Sequence, residues 1–287
     1  MYKFSRGDIA LIFSLRRAER RIRLLPSESL PPSAGWLRDN ARALYALARQ
    51  PAPGLHRREF LHLRRVCRAL AQAQNGPVRE AALVRSLRSS GEDAPLTVRE
   101  LRALPDMLRL QLLRRLRELL PAILRECREQ AGREAQARTA EETGAVVSAL
   151  LSLRDLDAGR VVEKCSEAAR MLDAAPIFRQ MDRESRGLYL TGVSRLSRAL
   201  RVPEARVAEA ALTLCQGREG AAGDPGFYLL EDSSELRKAL GKRPGLSPRG
   251  KIRIYACLLA LGAALSLALG FLLLPFPHFL FFYQFQL

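Results

Sequence analysis

The stretch Ala94–Cys127, APLTVRELRALPDMLRLQLLRRLRELLPAILREC, decides the fold. It opens on a turn at Ala94-Pro95, followed by Thr97-x-x-Glu100. That is the capping-box pattern, in which a threonine oxygen and a glutamate carboxylate satisfy free N–H groups at a helix start. Pro105 marks a second helix start, because proline fits the first helical turn and has no N–H to leave unpaired there. Beyond it Leu108, Leu112, Leu113, Leu116, Leu119, Leu120, Ile123, Leu124 and Cys127 recur at helical spacing. Arg109, Arg114, Arg115, Arg117 and Glu118 fill the opposite side. The stripe predicts an amphipathic helix buried along one face, with Leu108, Leu112, Leu116 and Leu119 in the core. Pro121 falls inside the stripe and predicts a kink or a division. We read the segment as the central helix of an all-α domain.

The same periodicity extends outward. Glycine and proline fall mostly between periodic segments and β-branched runs are nearly absent, so a sheet has little to build from. After a loop at Pro26–Gly35, Trp36 opens a helix carrying Leu37, Ala41, Leu44 and Ala48, with the tryptophan as a packing anchor. Pro51–Gly54 breaks the chain and Leu55–Gln74 resumes it; Asn75-Gly76-Pro77 is a turn, and Ser89–Asp93 a polar loop. Beyond Cys127 the stripe disappears, leaving either an exposed helix or a charged connection. Helices then follow over Val146–Leu153 and Arg160–Leu172. Another, capped by Asp182, carries Leu188, Tyr189, Val193, Leu196 and Leu200; a further one starts at Val202-Pro203-Glu204. Phe227–Leu230 is the one credible extended segment, ahead of a helix at Ser234–Leu240.

The 287 residues carry a formal charge of +17, all of it before Ile254 and nearly all from arginine. Such a balance suits anionic partners: nucleic acid, acidic lipid headgroups or a phosphorylated ligand. The competing explanation is arginine decorating solvated helix faces. Aromatics are few and not interleaved with the arginines, which disfavours a single-strand stacking platform and with it nucleic acid. Met1–Leu25 is no secretory signal, since its apolar run Ile9–Leu15 precedes most of the charge. It is either a core helix with a solvated basic face, which we favour, or an amphipathic helix lying on a membrane.

Ile254–Leu274 is an uncharged run rich in leucine and alanine, long enough to span about 30 Å of hydrocarbon. Basic residues crowd its near side, and the positive-inside rule places what precedes it in the cytoplasm of an inner-membrane protein. The expected organisation is a basic segment over 1–30, a helical cytoplasmic domain over 31–240, a basic linker over 241–253, a transmembrane helix over 254–274 and an apolar aromatic tail over 275–287. The abrupt aromatic end suggests a truncated reading frame or residues at the bilayer interface.

Motifs that carry chemistry are missing. The five cysteines are scattered, with no C-x-x-C, and His56 and His62 fall on different helix faces, so no zinc site or disulfide framework is signalled. Asp155 and Asp157 in RDLDAGR have D-x-D spacing, but at a helix start aspartates serve as caps. Met181-Asp182-Arg183-Glu184 reads the same way. There is no P-loop, G-x-G-x-x-G or G-x-S-x-G. No catalytic, metal or cofactor-binding residue is assigned, and no cofactor is expected in this chain.

Four segments in order resemble the N-terminal region of the cyclic β-1,2-glucan synthases. Trp36-Leu37 with Asp39-Asn40 is similar to that family's WLLDN. Pro95, Thr97, Glu100, Pro105, Met107 and Arg109 lie in a PLT-x-x-EL-x-ALP-x-MLR pattern. Met181, Asp182, Arg186 and Tyr189 resemble its MD-x-x-TR-x-x-Y, with Ser185 where a threonine is usual. Tyr228, in GFYLL, resembles its G-Y-Y-L-I. The resemblance implies a cytoplasmic helical segment ahead of a membrane-embedded glucosyltransferase that extends a β-1,2-glucan from UDP-glucose. The transferase motifs are not in this sequence, so the partners it implies are the membrane and a separate or downstream glucosyltransferase module, with anionic lipid headgroups a further candidate.

Overall fold

The computed structural model describes residues 6–26, 30–90, 95–128, 132–241 and 248–273, with side chains described only from 12 in the first span, to 89 in the second and for 255–270 in the last. Ala94 of the predicted turn, residues 91–93 of the polar loop, residues 242–247 of the linker and the aromatic tail over 275–287 lie outside the described residues. Within them the chain is helical and contains no strand. It forms two compact units, Met1–Glu209 and Ala210–Leu287.

The first unit is built around α6, Val98–Glu126. Before it come α1 (Arg6–Arg23), α2 (Pro32–Asp39), α3 (Ala41–Arg49), α4 (Arg57–Ala73) and α5 (Glu80–Ser90). After it come α7 (Arg133–Ser152), α8 (Ala158–Cys165), α9 (Glu167–Leu172), α10 (Pro176–Gln180) and α11 (Arg183–Leu200). Helices α1, α4, α7 and α8 all pack on α6. Leu101, Leu104, Met107, Leu108, Leu112, Leu113, Leu116 and Ile123 are buried from solvent, which makes α6 the core of the unit.

Pro105 does not start a second helix, and Pro121 does not divide the first: both lie inside one continuous α6. An interior proline costs about 3 kcal/mol, whereas each fully buried leucine returns roughly 1.5–3 kcal/mol. The apolar stripe keeps its phase across both prolines, so the leucines on either side outweigh the two lost hydrogen bonds. Three of the four expected core leucines are buried; Leu119 is only half-buried. Arg109, expected on the solvated side, is 2% exposed.

Other boundaries move for local reasons. Helix α2 begins at Pro32, not Trp36, because Pro31 and Pro32 occupy the cap and first helical positions that tolerate proline. The helix expected to run on from Trp36 is interrupted at Asn40, whose side chain donates to the Trp36 carbonyl at 3.0 Å. The stretch after Cys127 resolves into α7, whose second half buries Val146, Val147, Ala149 and Leu150. Ser166 splits Arg160–Leu172 by capping α9, accepting from the Ala169 N–H at 3.3 Å. Leu188 is 55% exposed, off the buried face of α11.

Helix α12 spans Glu204–Cys215. In the second unit Phe227–Glu231 is no extended segment but a single wide helical turn, closed by the Asp232 N–H on the Phe227 carbonyl at 2.9 Å. Consecutive side chains of a strand point to opposite faces; the wide turn instead lets neighbours Tyr228 and Leu229 both be buried. Helix α13 covers Ser234–Ala239 and α14 Pro248–Leu273. Among the described residues no helix is long and apolar enough to cross a membrane.

Candidate functional site

The motif residues do structural work, at separate places. Thr97 Oγ1 accepts from the Glu100 N–H at 3.2 Å while Glu100 Oε2 accepts from the Thr97 N–H at 2.9 Å, so the expected capping box is formed. Asp182 caps α11 through the Ser185 N–H at 2.8 Å, which with the Ser185 hydroxyl holds its carboxyl below the ordinary range. Arg186 lies over the Phe178 ring, 5.7 Å from its centroid, and donates to the Phe178 and Arg179 carbonyls. Tyr189 packs against the same ring and Met181 is half-buried beside it in sequence. Trp36 rests on Gly144 of α7, where an added Cβ would meet the indole at 3.0 Å. Asp39 pairs with Arg38, Met107 is fully buried, and Pro95 is exposed. In the second unit Tyr228 is buried; its hydroxyl donates to the Ala222 carbonyl and accepts from Arg218, which also pairs with Glu235.

Several arginines act alike, each donating to carbonyls in the last turn of a helix or just beyond it, where helical N–H partners run out. Arg109 donates to the Leu47 and Pro51 carbonyls at 3.3 and 2.6 Å and to the Gln50 side chain, closing the end of α3. Arg115 donates to Ala71 and Gln74 at the end of α4, both at 2.8 Å. Arg88 does the same at Lys164 in α8, and Arg186 closes α10. These four arginines therefore serve as internal caps.

A polar junction lies at the start of α6. Glu100, 3% exposed, takes His62 Nδ1 at 2.8 Å, and Glu204 Oε2 accepts from the Val98 N–H at 2.8 Å. Burial pushes the Glu204 carboxyl up; the Val98 N–H and Ser194 oppose this, and the nearby Glu100 and Glu59 charges add to it. Since His62, Thr97 and Val98 already occupy these carboxylates, the junction ties α4, α6 and α12 together rather than presenting a reactive group. Among the described residues no three His, Cys, Asp or Glu could hold a metal ion. Asp155 and Asp157 serve separately: Asp157 caps α8 through the Gly159 and Arg160 N–H groups. Desolvation raises its carboxyl, but these N–H groups and Arg183 hold it below the ordinary range. An open cleft of about 750 Å³ reaches Cys165, whose thiol is pushed up by burial against the opposing pull of Arg88 and Lys164.

A second cleft, of about 510 Å³, lies between α1 and the last third of α6. Arg17 and Arg21 rim it from α1, and Arg117, Arg125 and Arg128 from the other side; Leu120, Pro121 and Leu124 form an apolar floor. Among the described residues no carboxylate lines it. Unlike the capping arginines, none of the five makes an ion pair or side-chain hydrogen bond among the described residues. This is the candidate site, with the chemistry of an anion receptor.

No family model matches the chain, and no curated protein or solved structure matches it either. Sequence reasoning placed Arg117 on the solvated side of α6 and the basic run on α1, but not their meeting. The available signal was Pro121, which lies in an apolar stripe flanked by arginines.

Proposed function

We propose that this chain is a non-catalytic helical domain, facing the cytoplasm and anchored by one membrane helix over Ile254–Leu274, in a cyclic β-1,2-glucan synthase-like system. UDP-glucose-dependent synthesis is then carried by other modules, and this domain scaffolds or regulates the transferase or orders the growing glucan.

The observation that carries the anchor is the surface of α14. Leu258, Leu259, Leu261, Leu265, Leu267 and Leu269 are each 59–76% exposed. At roughly 1.5–3 kcal/mol per leucine, keeping them in water forfeits on the order of 10 kcal/mol that hydrocarbon would return. The described side chains, Tyr255–Gly270, measure about 24 Å along a helix, short of the ~30 Å core; the whole uncharged run, at about 31 Å, matches it. The scaffold reading is supported by the motif residues themselves, whose polar atoms are spent on caps and packing. A second reading, favoured by the five-arginine groove, is a free-standing tethered module that binds nucleic acid or anionic lipid.

Two measurements test this. Membranes carrying the chain, washed with alkaline carbonate, retain it; release into the wash removes the anchor. Labelled UDP-glucose given to the purified chain yields no glucan, and robust synthesis by the chain alone sinks the non-catalytic reading.

A further inference from the structure

The groove between α1 and α6 has an occupant that its chemistry selects. We propose that it is a docking surface for an anionic phospholipid bilayer, in which the arginine rim takes headgroup phosphates and the flanking apolar residues enter the interface. The inference rests on the membrane-tethered reading.

The five guanidinium groups of the rim lack internal partners among the described residues, unlike Arg109, Arg115 and Arg186, and the groove gathers them around one apolar floor. Arginine presents planar, paired donors suited to phosphate oxygens. The apolar side of the match comes from α1. Phe13, one turn before Arg17 and so on the same side of the helix, is 65% exposed, and Leu24, just beyond Arg21 and the helix end, is 85% exposed. Large apolar groups held in water beside unpaired arginines are the pattern of a helix that lies in a bilayer interface. The floor of Leu120, Pro121 and Leu124 is aliphatic. Phe13 is the one exposed ring described beside it, and a single ring is no platform for successive bases, which selects lipid over single-stranded nucleic acid.

The test uses the full chain in bilayer discs of phosphatidylcholine, with and without phosphatidylglycerol, read by amide hydrogen exchange. Anionic lipid slows exchange over residues 12–24 and 117–128, and added salt reverses the effect. The double variant Arg17→Gln, Arg125→Gln loses about 25-fold of that protection. This is about fivefold per arginine, the equivalent of the roughly 1 kcal/mol that one cation contributes beside an anionic surface. Circular dichroism of the variant matches the parent. Equal exchange in both kinds of disc overturns the proposal, as does protection that soluble glycerophosphate or single-stranded DNA reproduces without lipid. Carbonate extraction of the same samples separates the two ideas. Retention without lipid-dependent protection removes the groove and leaves the anchor; lipid-dependent protection with release removes the anchor and leaves the groove.

Discussion

Replacing Arg109 with methionine isolates what a buried arginine contributes here. The side chain is 2% exposed, and methionine fills much of its volume without donors. Its loss leaves the Leu47 and Pro51 carbonyls without their charged donor, and Asp106 without its partner at 3.5 Å. A hydrogen bond to a charged group is worth about 1.5–3 kcal/mol, and a buried orphan acceptor costs about 1–3 kcal/mol. The Asp106 pair is half-exposed, so solvent screening leaves it at most about 1 kcal/mol. Relief from desolvating the guanidinium offsets part of the sum. The net expectation is a loss of about 3–4 kcal/mol, read by urea unfolding followed through Trp36, the single tryptophan, which lies in the first unit. The midpoint falls while the slope holds. Arg109→Lys recovers less than half, because an ammonium lacks the planar fork that spans carbonyls. A loss below about 1 kcal/mol for Arg109→Met refutes the reasoning, since the α3 carbonyls would then have found water.

Glu204→Ala, which orphans the Val98 N–H, lowers stability by about 1–3 kcal/mol in the same assay, whereas Glu204→Gln keeps an acceptor and costs less. Its carboxyl is raised in the folded state, so the folded chain binds the proton more tightly. The contribution of this group is greatest below the ordinary glutamate value and is lost as pH rises through the raised one; a Gln variant whose pH profile over that window equals the parent's contradicts this. Thr97→Ala removes the α6 cap and costs about 1 kcal/mol; a loss within error of zero in urea unfolding speaks against the cap. Gly144→Ala presses a methyl against the Trp36 ring and shifts the indole emission to the red, and an unchanged spectrum means that the ring has room to yield.

Helices were legible wherever one side chain could speak for its own backbone. The Thr97–Glu100 box and the Asp182 cap involve residues three apart on one chain segment, so their hydrogen bonds follow from sequence spacing alone. Boundaries failed where packing outweighed a local preference. Pro105 and Pro121 carry strong break signals, yet the leucines around them gain more from one continuous stripe than two proline penalties remove. Phe227–Leu230 looked extended because its residues favour strands, and two adjacent buried side chains turned it into a helical loop.

The candidate groove was only half legible. Its members come from segments about a hundred positions apart, and no spacing rule links Arg17 to Arg125. By itself the sequence determined that the chain is helical, that α6 is its centre, that arginine dominates its charge and that an uncharged run ends the periodic part. These follow from periodicity, caps and composition, which act over a few residues. Only the tertiary structure decided which arginines are consumed. Arg109 and Arg115 face helix ends whose carbonyls accept from them, whereas Arg17, Arg21, Arg117, Arg125 and Arg128 meet one another across an apolar floor. The physical reason is that a guanidinium's partners are set by what folds opposite it, and those partners lie far away along the chain.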